Sequence, residues 1–248
     1  MIQIKNASKT FHASGNNKTT ALNGIDLVIE NGDYVVLLGS NGSGKSTLLN
    51  SIAGSFLLDA GSIFIDGLDV TNLQEYKRSK YIARIFQNPL HGTASELSIE
   101  ENFMLASLRT KTKNLSIGLD TQFKNLVKEK VASLGLGLEN KTSQPIGLLS
   151  GGQRQALTVL MATMNETKVL LMDEPIAALD PRSAEVVMET ANQIIQQNQI
   201  TTLLVTHRMK DAIDFGNRII FMKEGKIEKD ISSIAKSKLT IADIAAWF

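Results

Sequence analysis

The stretch that decides the fold is VVLLGSNGSGKST, residues 35–47. Four apolar residues, enough for a buried strand, lead into a loop with the spacing G-x-x-x-x-G-K-[ST], and a helical pattern opens at residue 46. Glycines in such a loop let backbone N–H groups surround phosphates, and the positive end of the helix dipole favours their charge. The strand, loop and helix therefore predict a nucleotide site, against the simpler interpretation of a glycine turn that caps a helix.

Two residues of this loop have specific predicted roles. Lys45 is expected to reach the β- and γ-phosphates as a catalytic charge, and the Ser46 hydroxyl is expected to bind Mg²⁺. The predicted nucleotide-binding residues of the loop are Gly39, Ser40, Asn41, Gly42, Ser43, Gly44, Lys45, Ser46 and Thr47.

A second apolar run, in KVLLMDEP at residues 168–175, ends in two adjacent carboxylates. Ionised carboxylates at the end of a buried strand are costly unless a cation or hydrogen-bond donors face them. Successive side chains of a strand point to opposite sides, so Asp173 and Glu174 are expected to do different work. We assign Asp173 to the Mg²⁺ shell and Glu174 to polarising an attacking water, the alternative being a solvated pair at the start of a loop.

Two further polar residues, Gln87 and His207, each follow an apolar strand pattern. Ligands of open α/β sheets bind in the crevice outside the carboxyl ends of the strands. Gly39 and Asp173 occupy the same kind of position, so four segments are expected to meet at one crevice. Taken singly, Gln87 or His207 has the alternative interpretation of a surface residue or a cap.

The chain as a whole alternates short apolar runs with helical patterns, which predicts an α/β fold with a largely parallel, buried sheet. Segments with period-two patterning around residues 2–11 and 24–30 predict antiparallel strands near the N-terminus. Residues 88–165 carry helical patterns without a clear buried strand. We therefore predict one domain, in which a helical subdomain of residues 88–165 is inserted between core segments 1–87 and 166–248.

The composition is that of a compact globule: 248 residues, 43% hydrophobic and 21% charged, with no cysteine. Without cysteine, disulfides and thiolate metal sites are excluded. The formal net charge of +1 gives no field that favours nucleic acid or an anionic membrane. The apolar runs are far shorter than the roughly 20 residues of a membrane span, so any membrane role is expected to depend on a partner chain.

The stretch LLSGGQRQAL, residues 148–157, predicts an unusual helix start. Ser150 and Gln153 have the spacing of a capping box. Gly151 and Gly152 nevertheless occupy the first two helical positions, where each glycine costs about 1 kcal/mol relative to alanine. Without Cβ atoms, the backbone N–H groups of this first turn are open to close approach by another group.

The order of these motifs, namely the phosphate loop, Gln87, LSGGQ, MDEP, AALDP at 177–181 and His207, resembles the ATP-binding subunit of ABC transporters over essentially the whole chain. The resemblance implies a P-loop NTPase core with a mostly parallel sheet, an antiparallel β subdomain at the N-terminus and an inserted helical subdomain. It implies ATP and Mg²⁺ as ligands, with Gln87 near both the Mg²⁺ and the γ-phosphate and His207 holding the γ-phosphate. Phe11 is the candidate that stacks on adenine, with the neighbouring His12 and plain core packing as alternatives.

The resemblance also implies that two such subunits pack head to tail, so that the LSGGQ stretch of each, residues 149–153 (the signature stretch), covers the γ-phosphate held by the other subunit. That phosphate is then implied to approach the bare N–H groups of both glycines. The residues implied to act across this dimer are Ser150, Gly151, Gly152, Gln153 and Asp180. The implied partners are a second ATPase subunit, an integral membrane permease contacted near residues 88–105 and, indirectly, an extracytoplasmic substrate-binding protein. Nucleic acid is not an expected partner, and the expected location is the cytoplasmic face of the membrane.

Two longer stretches resemble one group of these ATPases in particular. EYKRSKYIARIFQNP, residues 75–89, and THRMKDAIDFGNRIIFM, residues 206–222, are similar to ATPases of binding-protein-dependent importers, some of which are linked to aromatic amino acids. The alternative function is a soluble ABC ATPase outside transport, of the iron–sulfur assembly type. A single cassette argues against a translation or repair ATPase, and the LSGGQ stretch argues against a P-loop kinase.

Overall fold

The computed structural model describes residues 1–12, 18–110 and 118–248. In these ranges we number ten strands and nine α-helices in chain order. The strands are β1 (Ile2–His12), β2 (Lys18–Ile29), β3 (Tyr34–Leu38), β4 (Ala60–Ile65), β5 (Leu68–Asp69), β6 (Ile82–Ile85), β7 (Val169–Asp173), β8 (Thr201–Val205), β9 (Arg218–Lys223) and β10 (Lys226–Ile231). The helices are α1 (Lys45–Ala53), α2 (Glu75–Arg78), α3 (Ile99–Ser107), α4 (Thr121–Ala132), α5 (Gly151–Ala162), α6 (Pro181–Asn198), α7 (Met209–Asp214), α8 (Ser233–Lys236) and α9 (Ile241–Ala245). Single 3₁₀ turns lie at Pro89–Gly92 and Ile146–Leu148.

The backbone forms two compact units. The first contains Met1–Ile82, Lys168–Glu174 and Gln199–Phe248, and the second contains Ala83–Thr167 and Pro175–Asn198. The division of the chain into a helical subdomain of residues 88–165 and the flanking core segments stays a prediction.

The first unit holds an antiparallel sheet and a mostly parallel one, as predicted. The antiparallel sheet has the order β2-β1-β4-β5, and β1 and β2 pair from Ile2 opposite Ile29 to His12 opposite Lys18. In the other sheet β3 lies between β8 and β9 in parallel pairing, β7 pairs parallel with β8, and β10 pairs antiparallel with β9. The carboxyl ends of β3, β7 and β8 therefore lie at one edge of this sheet.

Burial explains why three short runs form the centre of the parallel sheet. Every residue of β3 and β8 is buried, as is β7 up to Met172. A strand covered on both faces is expected to be apolar throughout rather than alternating, and these runs are, apart from Thr201 and Thr202 at the start of β8. Helix α1 adds Leu48, Leu49 and Ile52 to the same core, which fixes the helix that follows the phosphate loop.

The second unit is helical. In its described part, residues 88–110 and 118–165 form helices, turns and one isolated bridge, without a longer strand. Helices α5 and α6 pack against each other in this unit. Across the described residues of the whole chain, no helix is both long enough and apolar enough for a bilayer span.

Candidate functional site

The phosphate loop leaves β3 and enters α1, which confirms the predicted strand, loop and helix. Gly39 and Gly44 have φ angles of 149° and 104°. A Cβ at Gly39 would lie 2.2 Å from the carbonyl oxygen of Met222, and one at Gly44 would lie 2.3 Å from that of Ala21. Both positions therefore require glycine for backbone conformation and for close packing.

Lys45 is buried at the first residue of α1. Its Nζ donates hydrogen bonds to the carbonyl oxygens of Gly39, at 2.8 Å, and Ser40, at 2.9 Å. Burial lowers the pKa of Lys45, and the nearby charges of Glu174 and Asp173 oppose that change. The ammonium group is thus held across the mouth of the loop beside two carboxylates.

Asp173, the last residue of β7, lies next to the phosphate loop. The Ser46 hydroxyl donates to its Oδ1 at 3.3 Å. In the described residues, no three His, Cys, Asp or Glu side chains cluster closely enough to hold a metal by themselves. A hydroxyl and a single carboxylate fit Mg²⁺, which proteins commonly bind through one or two carboxylates together with substrate phosphates.

Glu174 turns away from the strand that precedes it. Its φ is 45°, in the left-handed region that non-glycine residues seldom adopt, while its N–H still donates to the carbonyl oxygen of Val205 at 2.9 Å. Its Oε2 lies 3.3 Å from Nδ1 of His207. Asp173 and Glu174 face different partners, Ser46 and His207. Strand alternation is not the reason, because β7 ends at Asp173 and Glu174 has a left-handed backbone.

His207 is exposed, yet the backbone on both sides of it is fixed. The Thr206 hydroxyl donates to Oδ2 of Asp211 at 2.8 Å and accepts the N–H of Arg208 at 3.1 Å. Asp211 is buried on α7, and that burial raises the pKa of its carboxyl. Sequence reasoning missed Asp211, because an acidic residue in a short helical pattern gives no signal that it is buried.

Phe11 lies near the end of β1, the first strand of the antiparallel sheet. It pairs with Thr19 of β2, two residues before Ala21, whose carbonyl borders Gly44. The ring is 36% exposed, so it is not a core residue, and it packs edge-on against Phe56 with ring centroids 5.3 Å apart. Sequence reasoning missed Phe56, which follows α1 in a stretch without a motif. Stacking on adenine stays a prediction for Phe11.

The predicted capping box at the start of α5 is confirmed. The N–H of Gln153 donates to the Ser150 hydroxyl, and Oε1 of Gln153 accepts the N–H of Ser150, both at 3.2 Å. The two glycines differ, however. A Cβ at Gly152 would lie 2.5 Å from Cβ of Ser183 on α6, so this glycine is required by packing within its own chain. Contact of both glycines with a partner's phosphate stays a prediction, and Gly152 has this additional packing role.

Gly151 remains available for the predicted contact with a partner's nucleotide. It is exposed, and the nearest atom to a Cβ there would be the end of the Leu179 side chain, at 3.3 Å. Asp180 is also exposed, and its Oδ1 accepts the N–H of Ser183 at 3.0 Å, which caps α6. This hydrogen bonding lowers the pKa of Asp180.

The structure thus brings five of the predicted site residues together. The residues at the edge of the first unit's parallel sheet are Lys45, Ser46, Asp173, Glu174 and His207. Gln87 is exposed two residues after β6, in the second unit, which also holds Ser150–Gln153 and Asp180. Their position relative to the phosphate loop stays a prediction.

Comparisons with known proteins add independent information. The family model described as "ABC transporter" matches residues 22–177. A tyrosine transport ATP-binding protein of Clostridioides difficile (strain R20291) is 39% identical over 248 residues, which are 100% of this chain and 98% of that protein. The spermidine/putrescine import ATP-binding protein PotA of Haemophilus influenzae is 34% identical over 93% of this chain, and the match spans 57% of PotA.

Among solved structures, the similarity extends over nearly the whole fold. The dimeric post-hydrolysis state of the ATP-binding cassette MJ0796 bound to ADP and Pi has a TM-score of 0.80 at 28% identity, covering 94% of this chain and 99% of that one. The ADP conformation of MJ1267, an ATP-binding cassette of an ABC transporter, has a TM-score of 0.78 at 25% identity and covers 99% and 98%.

Proposed function

Because the chain belongs to the ABC transporter family of ATP-binding proteins, we propose that it is the ATP-hydrolysing subunit of an importer and acts with a separate membrane permease. Binding of ATP is the shared property of this family. The observation that carries the proposal is the convergence of Lys45, Asp173, Glu174 and His207 at the carboxyl ends of β3, β7 and β8.

The proposed chemistry is attack of water on the γ-phosphate, which gives ADP and phosphate. Backbone N–H groups of residues 39–47 and the ammonium of Lys45 hold the phosphates and stabilise the charge that develops on them. Mg²⁺, held through Ser46 and Asp173 with Gln87 as a further predicted ligand, supplies additional positive charge when bound. Glu174 accepts a hydrogen bond from the attacking water at Oε2 and orients it in line with the bond that breaks. His207, 3.3 Å from that oxygen, positions Glu174 and donates to the γ-phosphate.

We further propose that a second copy of the chain completes each site. Gly151 supports this assignment, because it is exposed at the N-terminus of α5, where the dipole favours an anion, and a Cβ there would meet only the end of the Leu179 side chain. The similarity to the MJ0796 dimer supports it too. Dimer closure then acts on the permease through the proposed helical subdomain, residues 88–165, at the cytoplasmic face of the membrane.

The cargo class proposed is an aromatic amino acid. The support is the relative from Clostridioides difficile, which matches this chain from end to end and is described as a tyrosine transport protein. A strain that lacks the chain is expected to lose uptake of labelled tyrosine at low external concentration and to regain it when the chain is restored. Unchanged uptake of all three aromatic amino acids would contradict this cargo class.

The importer proposal is tested by its partners. The chain carries an affinity tag in its own cell and is purified from detergent-solubilised membranes, with the Lys45→Ala variant as a control for ATPase activity. We expect an integral membrane permease to co-purify and the complex to hydrolyse ATP, with activity lost in the variant. Recovery of soluble scaffold proteins instead of a permease would identify the iron–sulfur assembly alternative and contradict an importer.

A further inference from the structure

Gln155 is a fully buried polar residue of α5 that no predicted motif role uses. It is 0% exposed, and its Nε2 donates hydrogen bonds to two backbone carbonyl oxygens, that of Phe86 at 3.0 Å and that of Pro175 at 2.7 Å. All three residues belong to the second unit. One side-chain amide therefore joins α5 to two segments that are far apart in the sequence.

The orientation of this amide is determined by its neighbours. The side-chain oxygen Oε1 is buried without a hydrogen-bond partner among the described residues, while both N–H bonds are used. Turning the amide over would place that oxygen against two carbonyl oxygens and leave the NH₂ group unpaired. An unsatisfied buried acceptor is itself unfavourable, so the side chain is retained here for its two donor contacts.

The two carbonyls flank residues of the proposed reaction. Phe86 immediately precedes Gln87, and Pro175 immediately follows Glu174 and opens the segment that leads to Asp180. Helix α5 itself begins with the glycine pair at 151–152. We propose that Gln155 is a positioning residue. It holds the Gln87 segment and the 175–180 segment against α5, so that the three move as one body when nucleotide is bound. This inference rests on the proposed ATPase function.

The alternative is that Gln155 merely pairs two carbonyls and contributes to stability alone. Asn165 offers a matched control, because its Nδ2 also donates to two backbone carbonyls, those of Ala106 and Ser107, both at 3.1 Å. It lies in the same unit, and both of these bonds go to α3 rather than to either segment. Gln155→Met and Asn165→Leu each remove two amide-to-carbonyl bonds and keep a side chain of similar size.

Amide hydrogen exchange measured on the full chain tests the proposal directly. In Gln155→Met we expect exchange to rise about tenfold or more at residues 87–88 and 176–180, because each segment loses a hydrogen bond that anchors it. Asn165→Leu is expected to leave these amides unchanged. Unchanged exchange at both segments in Gln155→Met overturns the proposal.

Steady-state kinetics on the same proteins give the second readout. We expect kcat to fall about tenfold in Gln155→Met with a much smaller change in KM for ATP, because the substrate still binds and only the placement of reacting groups is lost. An equal loss in Asn165→Leu, or an unchanged kcat in Gln155→Met, overturns the proposal. A wild-type chain without ATPase activity would contradict the proposed function instead, and hydrogen exchange would still decide the positioning role of Gln155.

Discussion

At the scale of single residues, the conformation of Glu174 is the feature that bears most directly on chemistry. A left-handed backbone at a non-glycine residue costs of order 1–3 kcal/mol and persists only where the surroundings impose it. Here the N–H of Glu174 continues the ladder to Val205 while its carboxylate is directed to His207. Glycine would relieve the backbone cost but would remove the carboxylate that the proposed hydrolysis requires.

Glu174→Gln is predicted to abolish most hydrolysis without loss of ATP binding. The amide keeps the shape of the side chain but cannot accept the proton of the attacking water, and a general base contributes about 10²- to 10⁴-fold to a rate. Turnover under saturating ATP and equilibrium ATP binding are the two measurements. Glu189→Gln, on the exposed face of α6, is the matched control. Turnover near the wild-type value would remove Glu174 from its assigned role.

Phe11→Ala is predicted to weaken ATP binding in a chain that remains folded. Stacking of a base on an aromatic ring is worth about 1–3 kcal/mol, which corresponds to a loss of affinity of roughly 5- to 150-fold. Phe64→Ala is the control, because Phe64 also lies on the antiparallel sheet with a lysine over its ring, 5.2 Å from the centroid. Equal ATP affinity in both variants would assign Phe11 to packing alone.

At the scale of secondary-structure elements, the start of α5 combines two requirements. Gly151 is exposed and open to a ligand, whereas Gly152 lets α5 approach Ser183 of α6. The capping box of Ser150 and Gln153 offsets part of the cost of two glycines in the first turn. Helices α5 and α6 are therefore packed closely against each other at the N-terminus of α5, where Gly151 is exposed.

Gly152→Ala is predicted to destabilise the protein by about 1–3 kcal/mol, because its Cβ would overlap Cβ of Ser183. Adding Ser183→Gly removes the overlapping atom, so the double variant is expected to recover much of that loss. Gly151→Ala, which meets only a flexible leucine end, is expected to be neutral or slightly stabilising. Chemical denaturation of the wild type, these three variants and Ser183→Gly alone gives the values, and additive effects in the double variant would refute the contact.

A pH effect is predicted at α8, where the buried Lys236 donates to the carbonyl oxygens of Phe215 and Gly216. Burial lowers the pKa of Lys236 from its ordinary 10.5 to about 8, with Asp214 opposing the change. Between these two values the unfolded chain binds more protons than the folded one, so this residue's contribution to stability rises with pH. We expect the unfolding free energy of wild type to increase relative to Lys236→Met from about pH 7 to about pH 10. A constant difference would show that Lys236 keeps its ordinary pKa.

At the scale of the whole molecule, the sequence predicted what depends on local pattern. The phosphate loop between β3 and α1, the antiparallel strands near the N-terminus and the capping box at Ser150 all follow from spacing, periodicity and caps. The contact between Gly152 and Ser183 and the buried donors of Gln155 could not be predicted, because they depend on which surfaces meet in space. The left-handed conformation of Glu174 could not be predicted either, because it depends on how β7 pairs with β8.

Two copies of the chain are proposed to complete each other's ATP sites, and the mass of the Glu174→Gln protein in solution tests this assembly most directly. Light scattering with ATP and Mg²⁺ is predicted to give twice the mass of one chain, and the mass of one chain without nucleotide. Adding Gly151→Asp places a carboxylate where the partner's γ-phosphate would lie, so this double variant is predicted to bind ATP and remain single. A single chain in Glu174→Gln with ATP bound, or an undiminished dimer after Gly151→Asp, would contradict the account.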